Sequence, residues 1–142
     1  MQRGDLRRGV TACAPAVARL SYAAHVRTVG SWRRTVPDLA SLLWNDYLAS
    51  GEPGAADAAG ATYSAWQFGY GVEQGDRLLA YVLNGPKRAT TGALWVYEAE
   101  GEAVPVPGDF SVLLDGHGVA RCIIRTTQVD IVPLDEVDAT FA

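Results

Sequence analysis

Residues 109–132 read DFSVLLDGHGVARCIIRTTQVDIV, and this segment gives the clearest indication of the fold. Two runs rich in aliphatic and β-branched residues flank Asp115-Gly116-His117-Gly118. Such runs are typical of strands, and an Asp-Gly turn followed by a second glycine is typical of a hairpin. The stretch therefore predicts two antiparallel strands. The second strand is long, so we expect it to bend or bulge near 126–128 and to end at Pro133.

Two helices are expected upstream of this hairpin. The first begins near Pro37, where a proline start is followed by leucine, tryptophan and tyrosine at helical spacing, and it ends at Ser50-Gly51. The second covers about 73–84, because its leucines and valines repeat at three and four positions and Asn84-Gly85 then closes it. Together these elements predict an α+β fold: a small, partly closed β-barrel flanked by helices.

Two further segments are less regular. Residues 89–97 are rich in Thr, Val, Trp and Tyr, and we interpret them as strand-like in part. Residues 135–142 resemble the first turns of another helix.

Charge divides the chain into two parts. Residues 1–36 hold seven arginines and one acid, a net charge of +6, whereas residues 37–142 hold five basic and fifteen acidic groups, a net charge of −10. We predict an Arg-rich, unstructured extension over 1–36 and a folded domain over 37–142. A transit-type leader or a weak signal peptide are the alternative interpretations of the extension.

Composition argues against several classes of protein. The acidic domain argues against a broad, non-specific grip on nucleic acid, which needs many contacts to phosphate. No run of 18 apolar residues predicts a membrane span, so we expect a cytoplasmic protein without a membrane partner. Cys13, Cys122, His25 and His117 are too dispersed for a disulfide framework or a metal site, and we expect no cofactor. Oligomeric state is not predicted.

Lys87 is the only lysine, and it lies in Gly85-Pro86-Lys87-Arg88-Ala89-Thr90-Thr91. An ammonium loses its proton near neutral pH when it is desolvated, so it can act as a base, which a guanidinium does not do. The segment therefore predicts a chemical site at Lys87, with hydroxyls at Thr90 and Thr91. The alternative for Lys87 is a surface charge that stabilises the C-terminal end of the preceding helix. The alternative for Thr90 and Thr91 is that they are present for their strand propensity.

Three other side chains are candidates for substrate contact. Trp66 lies in the aromatic segment 63–69 and can stack on a base or pack in the core. Arg88 and nearby backbone N–H groups can polarise a carbonyl. Arg125 is in the long strand, where it faces either solvent or a polar cleft.

Several stretches in order resemble the ASCH domain, a relative of the PUA RNA-binding barrel. They are Tyr63–Gly69, then Leu79–Gly85 running into Lys87–Thr91, Pro107–Ser111, Cys122–Thr127 with Val129, and the final Phe141-Ala142. The resemblance covers about residues 37–142. It implies a PUA-like barrel with a cleft and an association with RNA or modified nucleosides.

The resemblance also implies site residues. Small ASCH members hydrolyse the acetyl amide of N4-acetylcytidine with a lysine and a threonine three residues later, which correspond here to Lys87 and Thr90. Longer members, linked to ribonuclease activity, use a tyrosine six residues before the lysine, which corresponds to Tyr81. The catalytic glutamate of the amidohydrolases follows the Phe-Ala pair, where this sequence ends, so the resemblance implies that a closing C-terminal strand is also missing.

We therefore expect an ASCH protein that acts on RNA or on a nucleoside derived from it. The preferred activity is hydrolysis of the amide of N4-acetylcytidine, with Thr90 attacking and Lys87 as base, and with Tyr81, Trp66, Arg88, Thr91 and Arg125 contacting substrate. One alternative is a ribonuclease or RNA-binding module in which Lys87 and Arg125 hold phosphate. The other is an inactive, truncated remnant.

Overall fold

The structure is a computed structural model that describes residues 39–137 and 141, together with the backbone of residues 16–26. Its centre is the predicted hairpin, strands β4 (Phe110–Leu114) and β5 (Ala120–Pro133). The Asp115 carboxylate accepts the backbone N–H groups of His117 and Val119, both at 2.9 Å. An aspartate that bonds the backbone two residues later fixes a tight turn. The turn predicted from Asp115-Gly116-His117-Gly118 is therefore confirmed.

Five strands form one sheet in the described part of the chain. The other three are β1 (Ala16–Val26), β2 (Tyr63–Gln67) and β3 (Ala89–Ala93), and the order is β2-β4-β5-β1-β3. Only β2 and β4 pair in parallel; the remaining neighbours are antiparallel. The described strands leave β2 and β3 as the two ends, so the sheet is open, in agreement with the partly closed barrel that the sequence predicts.

The long strand β5 is irregular where the sequence predicts it. Ser21 pairs with Gln128 and Tyr22 with Thr126, so Thr127 has no opposite residue on β1. One extra residue on one strand is a β-bulge, which bends the strand. The bend lets β5 pair with β4 through its first half and with β1 along its length.

Helices cover both faces of the β4–β5 hairpin. Helix α1 (Leu39–Ala49) packs Leu43, Trp44 and Tyr47 against one face, which carries Phe110 and Val112. Helix α2 (Val72–Asn84) packs Leu79 and Val82 against the other face, which carries Leu113, Cys122 and Ile124. Alternate residues of each strand point to opposite faces, so β4 is buried on both sides. Both helices agree with the sequence prediction.

The N-terminal segment departs from the prediction. Residues 1–36 were expected to be unstructured, but the structure contains strand β1 at Ala16–Val26, between β5 and β3. The reason lies in β5, which has 14 residues where β4 has only five. Backbone N–H and C=O groups of a sheet need partners, and β1 supplies them along the far half of β5. The rest of the expected extension lies outside the described residues.

Two local expectations are also corrected. Residues 89–97 were expected to be strand-like in part: Ala89–Ala93 forms β3, but Leu94–Glu100 forms helix α3. Gly101 ends it in the left-handed conformation (φ 69°), a common helix end that strand propensity does not reveal. The helix expected from residue 135 is a single 3-10 turn at Leu134–Glu136, and residues 138–140 and 142 lie outside the described part. None of the described helices has the length and apolar composition to cross a bilayer.

Gly116 fixes how α2 docks on the hairpin turn. A Cβ at this position would lie 2.4 Å from the Cα of Val72, and the Gly116 N–H donates to the Asp76 carboxylate at 2.8 Å. Backbone atoms cannot yield as a flexible side chain can. We expect Gly116→Ala to lower the free energy of unfolding by about 1–3 kcal/mol, the usual cost of overpacking. Urea denaturation measures this change, with His117→Ala, at the exposed neighbouring position, as the control. Equal midpoints for both variants would contradict the close approach.

Candidate functional site

A cleft of about 620 Å³ lies between the two ends of the open sheet. Residues of β2 (Ser64, Trp66) and of β3 (Thr90, Thr91) line it, although these strands are at opposite ends of the strand order. The sheet therefore curls so that its ends contribute to one concavity. Helix α3, the loop at 102–105 and parts of β4 and β5 complete the walls. Small-molecule sites in proteins are about 300–1,000 Å³, so this cleft has room for a nucleoside.

Hydroxyl groups dominate the polar lining. Ser64 and Ser111 share a hydrogen bond at 3.0 Å across the β2–β4 pair. Six serine and threonine residues line the cleft: Thr62, Ser64, Thr90, Thr91, Ser111 and Thr126. Glu102 and Asp109 are the acids of the lining, and no lysine or arginine is among its described residues. Such a surface disfavours phosphate and suits an uncharged ligand rich in hydrogen-bonding groups.

The turn between α2 and β3 positions Lys87 and Thr90. The N–H groups of Gly85 and Lys87 both donate to the Tyr81 carbonyl, at 3.2 and 3.1 Å, and Gly85 has φ 120°. The Arg88 guanidinium donates to the carbonyls of Val82 (3.2 Å) and Lys87 (3.1 Å). The bonds to Tyr81 and Val82 satisfy carbonyls in the last turn of α2. Arg88 is thus occupied in capping α2, and it does not line the cleft.

Lys87 is half-buried on the turn that leads into β3. Its Nζ donates to the Ala89 carbonyl at 2.7 Å and lies 5.3 Å from the centre of the Phe68 ring. Burial lowers the pKa of Lys87 below its ordinary value, because desolvation disfavours the charged amine. Lys87 is not among the residues lining the cleft, whereas Thr90, one residue after Ala89, is.

Aromatic contacts connect Lys87 to the cleft wall. The ring of Phe68 meets that of Trp66 edge to face, with 4.8 Å between centroids. Phe68 is buried in the core under α2, and Trp66 is packed against that core while one side lines the cleft. Trp66 therefore packs against the core and also presents a surface to the cleft, and its stacking on a base stays a prediction.

Two predicted contact residues lie elsewhere. Arg125 donates to the Asp57 carboxylate at 2.7 Å and lies 5.5 Å from the centre of the Phe110 ring. By strand alternation Arg125 is on the same face as Ile123, the face covered by α1. Tyr81 is half-exposed on α2, and neither it nor Arg125 lines the cleft.

Two residues at the cleft were not selected from the sequence. The end of α3 places them: the Glu102 N–H donates to the Tyr97 carbonyl at 2.9 Å, next to the left-handed Gly101. The Tyr97 ring covers Gly92 of β3, where an added Cβ would lie 2.7 Å from the phenol oxygen. Burial is the larger cause and the charge of Glu102 the smaller cause that raise the pKa of Tyr97. The phenol therefore stays protonated at neutral pH. Sequence reasoning missed Tyr97 because 89–97 was interpreted as strand-like in part, and it missed Glu102 because the helix end that positions this residue was not predicted.

The described residues hold no cluster of three or more histidine, cysteine, aspartate or glutamate side chains that could bind a metal ion. Cys122 is fully buried, and burial raises the pKa of its thiol to about 12. An unionised thiol is a poor nucleophile. The chemistry available in the cleft lining is therefore that of hydroxyls and carboxylates, and the amine of Lys87 lies outside this lining, on the Ala89 carbonyl.

Comparison with known proteins identifies the family to which this chain belongs. The family model of the ASCH domain matches residues 64–142, more than half of the chain. This protein belongs to the ASCH domain family, and its fold is a partial PUA-like barrel.

The crystal structure of protein EF3133 from Enterococcus faecalis V583, matched by the family model DUF984, is similar to it, with a TM-score of 0.62 and 32% sequence identity. The match covers 72% of this chain and 61% of the Enterococcus chain. Comparison with curated proteins finds no significant match. At the general level, family membership supports an RNA-related domain.

Because Lys87 is the only lysine, its pKa can be measured alone. Reductive methylation with ¹³C-formaldehyde labels only Lys87 and the N-terminal amine. We expect the Lys87 methyl resonance to titrate at a lower pH in the folded protein than in urea, because burial disfavours its charged form. The N-terminal amine, with an ordinary pKa of about 8, provides the internal reference. A Lys87 midpoint that is the same in urea and in buffer would show a fully solvated amine.

The ion pair of Arg125 with Asp57 predicts a small, purely structural effect. Its side chains are 37% and 58% exposed, and such pairs contribute about 0–1 kcal/mol. We expect Arg125→Gln and Asp57→Asn each to lower the free energy of unfolding by no more than this amount, with a double variant that is less than additive. Chemical denaturation of the three variants measures the coupling. Fully additive changes would mean that the two side chains do not interact.

Proposed function

We propose that this ASCH protein binds an RNA-derived modified nucleoside in the cleft and hydrolyses its exocyclic amide, as in N4-acetylcytidine. The observation that carries the proposal is the position of Thr90 in a hydroxyl-lined cleft, directly after the carbonyl that holds the desolvated amine of Lys87. A cytoplasmic location, where RNA turnover releases nucleosides, belongs to the same proposal.

The reaction uses Thr90 as nucleophile and Lys87 as base. The Thr90 Oγ1 attacks the acyl carbon, and its proton passes to the neutral amine of Lys87. The tetrahedral intermediate then breaks its bond to the exocyclic nitrogen, which receives that proton from Lys87 and leaves as the amine of cytidine. Water hydrolyses the ester on Thr90 and releases acetate.

The state of Lys87 suits this role. A base must be unprotonated when the substrate arrives, and a lysine with its ordinary pKa of about 10.4 is almost entirely charged at neutral pH. Burial of Lys87 lowers its pKa and so increases the neutral fraction. The contact with the Ala89 carbonyl holds the amine in place, and the Phe68 ring excludes water from one side.

The charge of the cleft favours a free nucleoside over an RNA strand. Glu102 and Asp109 both repel phosphate, and the described lining offers no lysine or arginine to neutralise it. The alternative in which Lys87 and Arg125 jointly hold phosphate has less support, because Arg125 bonds Asp57 on the face covered by α1.

Activity is tested by acetate release from N4-acetylcytidine. We expect Lys87→Ala and Thr90→Val each to reduce kcat/KM by about 100-fold or more, the usual effect of removing a general base or its nucleophile. Lys87→Arg keeps the charge but cannot serve as base, so it should be equally impaired, and Thr90→Ser should retain part of the rate. Thr127→Val, at an exposed position outside the cleft lining, is the control.

The pH profile separates a base from a merely structural amine. The rate should rise with pH and level off above the lowered pKa of Lys87, because only the neutral amine accepts the proton. Wild-type activity at background level, or full activity in Lys87→Ala, would contradict the proposal. Salt-sensitive binding of labelled single-stranded RNA without hydrolysis would favour the RNA-binding alternative, and neither property would favour the inactive remnant.

A further inference from the structure

Two polar groups at one end of the cleft have no role in the proposed reaction. Within the described residues, no hydrogen bond or ion pair involves the phenol of Tyr97 or the carboxylate of Glu102, although the charge of Glu102 acts on that phenol. Asp109, the other acid of the lining, differs: its carboxylate accepts the Val106 N–H at 2.8 Å and so stabilises its own turn. Glu102 is thus the acid of the lining that is available to a ligand.

Backbone geometry positions this pair firmly. The bond from the Glu102 N–H to the Tyr97 carbonyl turns the chain back over α3, after the left-handed Gly101. Gly92 admits the Tyr97 ring against β3, next to Thr91. Both residues line the cleft together with Thr90, while Trp66 lines it from β2 at the opposite end of the sheet.

The chemistry of the pair defines what it can recognise. A carboxylate only accepts hydrogen bonds, whereas a protonated phenol donates one. Cytosine offers a donor at its exocyclic N4 and acceptors beside it; uracil offers an acceptor at the corresponding O4. A carboxylate is a suitable partner for the N4 donor of cytosine. Against uracil it would place two acceptors face to face.

We propose that Glu102 and Tyr97 read the base edge of the ligand, with Glu102 accepting the exocyclic N–H and Tyr97 donating to a neighbouring ring acceptor. This inference rests on the proposed function, since it requires that the cleft binds a nucleoside. It assigns selectivity to residues outside the lysine–threonine pair. The cleft consequently prefers cytosine-type over uracil-type ligands.

Calorimetric titration with cytidine and with uridine tests the inference without hydrolysis. We expect the wild-type protein to bind cytidine about tenfold more tightly, within the range of a good base contact. Glu102→Gln presents a donor as well as an acceptor, so most of this preference should disappear. Glu100→Gln, an exposed acid of α3 outside the cleft lining, should keep it.

Two further variants test the phenol. Tyr97→Phe removes only the hydroxyl, and Gly92→Ala displaces that hydroxyl without removing it. Both should weaken cytidine binding, Tyr97→Phe at an unchanged melting temperature, and they should act less on selectivity than Glu102→Gln does. If Glu100→Gln and Glu102→Gln reduced the preference for cytidine equally, the effect would be one of overall charge, and this result would overturn the inference.

The outcomes distinguish this inference from the proposed function. If both nucleosides bind equally well and Glu102→Gln changes neither, the cleft is a nucleoside site but Glu102 does not read the base, and only this inference fails. If the wild-type protein binds neither nucleoside, the proposed function fails with it.

Discussion

Burial of β4 on both faces is the constraint on which the rest of the structure depends. Phe110 and Val112 pack under α1, while Leu113 packs under α2. A strand covered on both sides cannot shift by one residue, since every side chain would then exchange faces. This fixed register also pairs Ser64 of β2 with Ser111, and so places one end of the sheet at the cleft.

The other end of the sheet reaches the cleft through α2. The turn at Gly85 and the bonds to the Tyr81 carbonyl lead directly into β3 and place Thr90 on the wall. The same turn brings Lys87 against Phe68, where its amine is partly desolvated. Structure and chemistry are therefore coupled: the contacts that end α2 also set the environment of the amine.

Local signals made much of this fold predictable. The Asp115 turn, the bulge near Thr127 and the end of α2 at Gly85 each depend on a few neighbouring residues. Strand β1 was not predictable in the same way, because its place depends on the unpaired half of β5, distant in sequence. Within the site, Thr90 follows from the motif that resembles the family. Glu102 follows from no motif, since the left-handed end of α3 brings it to the cleft.

The central claim, that Thr90 carries the acyl group during amide hydrolysis, is tested most directly by quenching the reaction of the wild-type protein with N4-acetylcytidine and analysing its peptides by mass spectrometry. The account predicts an acetyl group on Thr90, formed with substrate and lost on further incubation. An acetyl group on the amine of Lys87 instead, or acetate release with no acyl group on the protein at any time, would contradict it.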